Sequence, residues 1–149
     1  MEPQSKNWDL RYGQVDDHPF IYSSWLKSFR DSSVIRRVPN SVYFAQHHKL
    51  IEKTLTAPTT KIVVSVATDD PGQIYGYVVG SYDDTGPILH WVYCKHVFRG
   101  CGISRELEAA IVDGAAADTV RYTHRVNECD EILKRRGYIY NPYIFWSHI

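Results

Sequence analysis

The sequence predicts one α+β domain with the element order β-α-α-β-β-β-α-β-α-β, and three observations carry that prediction. Between residues 61 and 95, three β-branched and aromatic runs, KIVVSVA, IYGYVVGSY and ILHWVYCK, are separated only by TDDPGQ and DDTGP. Strands joined by such short turns form an antiparallel meander. Ahead of the meander, two stretches repeat apolar residues at helical spacing: Ile21, Trp25, Leu26 and Phe29, then Phe44, Leu50, Ile51 and Leu55. Behind it, helical and strand-like runs alternate.

Taken in order, WDLRYGQ (8–14) alternates as a first strand. DDHPF then supplies acidic residues and a proline where a helix begins. VPNS opens the second helix, with Asn40 or Ser41 expected as N-cap, and Ala57-Pro58 closes it. After the meander, FRGCG leads into a helix whose core positions are Ile103, Leu107, Ala110 and Ile111. VRYTHRV (120–126) reads as a strand. NECDEILKRRG reads as a helix with basic residues in its last turn and Gly137 as its stop. YIYNPYIFW is expected to form a final strand or pair of strands, bent at Pro142. Residues 1–149 hold no repeat, linker or low-complexity segment, so a single domain is expected.

Composition narrows the function classes. With 17 basic and 17 acidic residues the formal charge is zero, which gives no reason to expect nucleic acid or a membrane surface as partner. Cys94, Cys101 and Cys129 are odd in number and lack ligand spacing, so neither a disulfide framework nor a metal site is expected. A reducing, cytoplasmic setting follows from the same usage. The opening MEPQSKNWDL has no apolar leader core, and no run approaches the ~20 apolar residues of a membrane span. QHHKL (46–50) places two histidines about 100° apart on a helix without H-E-x-x-H spacing, so it reads as a solvated face. Asp69-Asp70 and Asp83-Asp84 read as turn chemistry, with Asp83 and Asp84 facing a cationic amine as the alternative.

One junction carries chemistry. In VYCKHVFRGCGISREL (92–107) an arginine and two close glycines stand between a strand and a helix. The first amides of a helix lack intrahelical partners, and glycines let that backbone approach an anion. The junction therefore predicts a phosphate or pyrophosphate pocket. It is not G-x-x-x-x-G-K-S/T, and the meander before it excludes a parallel dinucleotide-binding unit. On the residues alone, a plain strand-to-helix turn fits equally well.

The segment resembles motif A of the GNAT superfamily of N-acetyltransferases, a strand followed by R/Q-x-x-G-x-G/A and a helix. Val92, Tyr93 and Cys94 stand at the strand's end, His96 replaces the usual proline, and Arg99, Gly102 and Ser104 fill the arginine, glycine and small positions. The family's element order matches, and Asn127, Gly137 and Tyr138 fall at places in its closing segment. The resemblance implies a GNAT-like three-layer fold: a mixed, mostly antiparallel sheet with helices on both faces. It implies acetyl-CoA as acyl donor, with the pantetheine arm paired to the backbone of Val92, Tyr93 and Cys94. The pyrophosphate would rest on the amides of Arg99, Gly100, Cys101, Gly102, Ile103 and Ser104, with Asn127 as a further contact. The acceptor would be an amine of a small molecule or protein; whether a homodimer forms stays open.

The catalytic pattern departs from the family's. Leu133 occupies the place of the tyrosine that many members use as acid, and Tyr122 falls near the usual glutamate. His90 and His124 are candidate bases, since imidazole titrates near neutrality, and Tyr138 or Tyr140 is a candidate acid. Each also reads as an ordinary packed or hydrogen-bonded side chain, and Cys94 as a buried, inert thiol rather than a nucleophile. Tyr22, Trp25, Tyr43 and Phe44 are candidates for an acceptor wall, although their spacing suits a core. The competing expectation is a non-catalytic protein of the same fold that binds a partner as a structural, regulatory or inhibitory module.

Overall fold

The structure, a computed structural model, describes residues 7–30, 32, 35–125 and 127–146, the side chains of residues 127–129 excepted. Its strands are β1 (Trp8–Tyr12), β2 (Lys61–Ala67), β3 (Asp70–Tyr82), β4 (Pro87–Cys94), β5 (Arg121–Tyr122) and β6 (Ile139–Tyr140). Its helices are α1 (His18–Arg30), α2 (Asn40–Thr56), α3 (Ile103–Val112), α4 (Asn127–Arg135) and α5 (Tyr143–Trp146). The expected order holds, with α5 added at the end. The strands form one sheet in sequence order, antiparallel from β1 to β4 and parallel from β4 through β5 to β6.

Successive side chains on a strand point to opposite faces, and the core divides accordingly. Val64 and Val79 pack with Ile21, Trp25, Leu50 and Ile51 of α1 and α2. Their neighbours Val63 and Val78 pack with Ile103, Leu107 and Ile111 of α3. Helices therefore cover both faces of the sheet. The layer of α3 comes so close that a Cβ on Gly80 would sit 2.7 Å from Ile111 Cγ2. Among the described residues no helix is long and apolar enough to cross a membrane.

The elements differ from the sequence reading in four places. Asn40 is not an N-cap: it is the first residue of α2, and its Oδ1 accepts from Arg30 Nε at 2.8 Å. Phe44 is 44% exposed, and the buried stripe of α2 runs instead through Tyr43, His47, Leu50, Ile51, Thr54 and Leu55. The strand expected over 120–126 shrinks to Arg121–Tyr122, because the backbone beyond it leaves β4. Pro142 does not bend a second strand; the backbone turns into α5, whose Phe145 is buried against Trp25.

Two features fix β5 against the meander. Arg121 donates to both carboxylate oxygens of Asp83, at 2.7 and 2.6 Å, and to the Gly86 carbonyl at 2.9 Å. This pairing holds the Asp83 carboxyl down to about 2 and engages both of its oxygens with Arg121. At the other end, Gly137 stops α4 with φ +82, as the sequence predicts for a C′ glycine.

Candidate active site

The site begins with an irregularity in β4. Val79 pairs with Trp91 and Gly80 with Leu89, which leaves His90 as an extra residue in the strand. Such a bulge re-aims the backbone beside it. In a regular strand consecutive carbonyls point to opposite edges, yet here two in a row are reached from the β5 side. Thr123 N donates to Leu89 O at 3.1 Å, and the Thr123 hydroxyl reaches His90 O at 3.5 Å. Parallel pairing with β5 covers only Ile88 and Leu89. The remainder of β4, through Cys94, has no β5 partner, and the two strands open into a V.

A cleft of about 320 Å³ fills this opening, within the range of small-molecule sites. Leu89, His90, Trp91 and Val92 line it from β4, and Tyr122 and His124 from β5 and the segment after it. Glu108 of α3, Leu133 of α4 and Arg136 just beyond α4 complete the walls, while Phe98, Gly100, Gly102 and Ser104 stand where β4 meets α3.

The glycines set the shape of that junction. Gly100 and Gly102 have φ of +84 and +94, the left-handed region that a Cβ disfavours, and neither has an atom within 4 Å of where a Cβ would lie. Among the described residues, the amides of Gly100, Cys101, Gly102, Ile103, Ser104 and Arg105 have no acceptor within the protein. Six successive bare amides at a helix start form a concave donor surface suited to an anion.

Arg99 is placed differently from the expectation. Its amide donates to His96 O at 3.2 Å, so it is not part of the bare run, and its Nε donates to Cys94 O at 3.2 Å. The guanidinium thus ties the loop to the end of β4 and lies outside the cleft lining.

The other expected residues are distributed unevenly. Val92 and Ser104 face the cleft. Tyr93 points to the opposite face, stacked on Tyr77 with ring centroids 5.5 Å apart, so only its backbone is available to the opening. Cys94 is buried, its thiol pushed up by burial and donating to Lys95 O at 3.6 Å, which leaves the nucleophile alternative without support. Cys101 is exposed and Ile103 is buried. The side chain of Asn127 lies outside the described residues. Tyr138 is not in the cleft wall. It joins Glu108 and Arg136, themselves an ion pair, and burial followed by the Glu108 carboxylate pushes its hydroxyl up. Of the candidate acceptor wall, Trp25 and Tyr43 are core residues, while Tyr22 stacks on His48 at 4.4 Å.

The two candidate histidines share one network. His90 is 1% exposed; its Nε2 meets Ser81 Oγ at 2.8 Å and its Nδ1 meets Thr123 Oγ1 at 3.2 Å. His124 meets the same Thr123 Oγ1 through Nδ1 at 2.9 Å, and its Nε2 lies 3.1 Å from His47 Nε2. Burial lowers His47 to about 4 and takes His124 well below the usual imidazole range, helped by His47 and His90. His47 therefore corrects the solvated reading of QHHKL: the two histidines do diverge, and one of them points inward. Ser81, Thr123 and His47 were invisible as site residues, although His47 sits in register with Tyr43, Leu50 and Thr54, a spacing that signals burial. Among the described residues no group of three or more His, Cys, Asp or Glu side chains could hold a metal ion.

No family model matches the chain, and no curated protein matches it in sequence. Solved structures do match. Histone acetyltransferase HPA2 and related acetyltransferase from Corynebacterium glutamicum superimposes with a TM-score of 0.64 at 16% identity, over 89% of this chain and 84% of that one. Aminoglycoside N-acetyltransferase AAC(6')-Iy, solved with CoA, gives 0.51 at 15% identity over 93% and 91%. The GNAT family N-acetyltransferase YhbS from Escherichia coli, also with CoA, gives 0.51 at 19% identity over 74% and 57%. At these identities the likeness establishes the fold, and the fold is that of the GNAT acetyltransferases.

Proposed function

We propose, with the GNAT fold as premise, that this chain binds acetyl-CoA in the V between β4 and β5 and transfers the acetyl group to an amine. The observation that carries the reading is the run of six bare amides from Gly100 to Arg105 beside that opening. A diphosphate would take those amides, and the unpaired stretch of β4 around Val92, Tyr93 and Cys94 would pair with an extended arm as a further strand does. Two of the neighbouring structures contain CoA, which agrees with this use of the fold. The group supplies a thioester already activated toward attack by an amine. This chain's residues orient it, exclude water and manage protons. His90 and His124 at the cleft are the assigned proton acceptors. Tyr138 is assigned as acid only through the Glu108–Arg136 cluster, since it does not line the cleft.

The test is CoA release from acetyl-CoA across a panel of amines. The expected result is turnover with at least one amine, lost in Gly102→Trp, whose side chain would enter open space and cover the amides. Absence of CoA release with every amine would favour a second reading, a non-catalytic binding module. That reading rests on Leu133, which lines the cleft with an apolar side chain where a proton donor is needed.

A further inference from the structure

The opening between β4 and β5 has two faces, and they are built differently. On one, α3 and α4 border the cleft, and an acyl-carrying arm laid along β4 would take up that approach. The other face belongs to α1, α2 and α5. His90, Trp91 and His124 stand between the two: they line the cleft, yet their rings pack with side chains of the second face. An amine that is to meet a thioester held in the cleft must come from that second face, and there it meets rings rather than a passage.

The closing ring comes from the last element of the described chain. Phe145 of α5 is 1% exposed, and its ring centroid lies 4.4 Å from that of His124, 5.3 Å from His47, 5.8 Å from Trp25 and 6.0 Å from His90. Two of its helix neighbours face outward, Tyr143 at 79% and Trp146 at 46% exposed. With four residues, α5 is too short to persist as a helix by its own hydrogen bonds, and the amides of Phe145 and Trp146 both turn back to Pro142 O. Burial of the Phe145 ring is what seats it. The seat is imperfect. Trp25, on which Phe145 packs, is 0% exposed, and its Nε1 has no hydrogen-bond partner among the described residues. Buried donors in a settled core are almost always paired. Displacing Phe145 uncovers this indole, so the open arrangement offers it the partner that the closed one lacks.

We propose that α5 is a plug: Phe145 seals the acceptor side of the opening, and an acceptor amine reaches the thioester once this turn swings away. The proposal rests on the acetyl-transfer reading and adds the route of entry to it. The hinge lies at Pro142, because the residue before it is still fixed to the sheet, with Asn141 N donating to Tyr122 O at 2.8 Å. The closed plug keeps water from a bound thioester until an acceptor arrives, as closing elements of active sites do. Phe145 does not line the cleft itself, so the plug acts on access to the acyl group and leaves donor binding alone.

The test measures how fast hydroxylamine reaches a bound thioester. Hydroxylamine is a small nucleophile that needs no acceptor site. Its nitrogen bonds to the acetyl carbon, the carbon–sulfur bond breaks with its electron pair on sulfur, and a nitrogen proton passes to the sulfur, which leaves acetohydroxamate and CoA. Acetyl-CoA is held by an excess of wild type, Phe145→Ala or Tyr143→Gly, with binding followed by calorimetry. Wild type is expected to slow the reaction roughly tenfold or more relative to free acetyl-CoA. Phe145→Ala should abolish that protection with acetyl-CoA affinity unchanged. Tyr143→Gly alters an exposed position and keeps the ring, so it loosens the turn without emptying the core; it should speed the reaction about two- to fivefold. Should Phe145→Ala fail to fold, Tyr143→Gly decides the question. A wild-type complex as reactive as free acetyl-CoA, or folded variants as protected as wild type, would overturn the plug and leave donor binding standing. A wild-type protein that binds no acetyl-CoA would overturn the acetyl-transfer reading, and the plug with it.

Discussion

His47 is neutral in the folded protein at any pH above about 4, whereas an unfolded chain protonates it near 6.5. Between those values the unfolded state binds the extra proton, so stability must fall as the pH falls. For a ring so placed the loss between pH 7 and pH 5 is about 2 kcal/mol, and His124 acts in the same direction. The lowered carboxyls do not confuse this window, because the stability Asp83 contributes is retained above its ordinary value and lost only as the pH falls toward 2. Urea unfolding at pH 7 and pH 5 should show the drop, and His47→Gln should reduce it; equal stability at the two pH values would contradict the buried neutral pair. The periodicity of α2 held the clue to this residue. Two adjacent histidines cannot share a face, and the register with Tyr43 and Leu50 selects His47 as the inward one. What no local pattern could reveal is its partner, because His124 lies 77 positions away.

At the scale of elements, the opening depends on β4 being long and β5 short. Arg121 anchors β5 where it pairs, and the bulge at His90 releases the remainder. Arg121→Ala removes a bidentate charged contact from a largely buried position and is expected to cost about 2 kcal/mol in urea unfolding. A change below 0.5 kcal/mol would show that the clamp is not holding the hairpin. Gly76 marks the other constraint: a Cβ there would lie 2.5 Å from the Tyr93 carbonyl oxygen, in the backbone of β4 itself. Gly76→Ala should therefore destabilise by about 1–3 kcal/mol, since strand backbone cannot yield as a side chain does. The meander was legible because its strands and turns have strong local chemistry, and β2 matches KIVVSVA residue for residue. The length of β5 was not, since VRYTHRV has strand composition throughout and stops pairing only because β4 diverges. The tail failed for a related reason: YIFW has strand residues, but its Phe145 is drawn into the aromatic core beside Trp25 and His124.

For the molecule as a whole, the sheet with helices on both faces was implied by the GNAT resemblance, and solved structures bear out that architecture. The open, left-handed backbone of Gly100 and Gly102 was legible too, because glycine is the residue that takes such a conformation freely; that it holds an anion is the proposal. The role of Arg99 was not, since its guanidinium turns back to the Cys94 carbonyl. The account stands on the backbone from Gly100 to Arg105 being an unfilled donor surface that receives a diphosphate. Its most direct test is a titration of the isotope-labelled protein with CoA, following backbone amide resonances. The account predicts that the amides of Gly100, Cys101, Gly102, Ile103, Ser104 and Arg105 shift together and saturate, with Val92 and Cys94 following along β4. Saturating CoA that leaves those six resonances in place would contradict it.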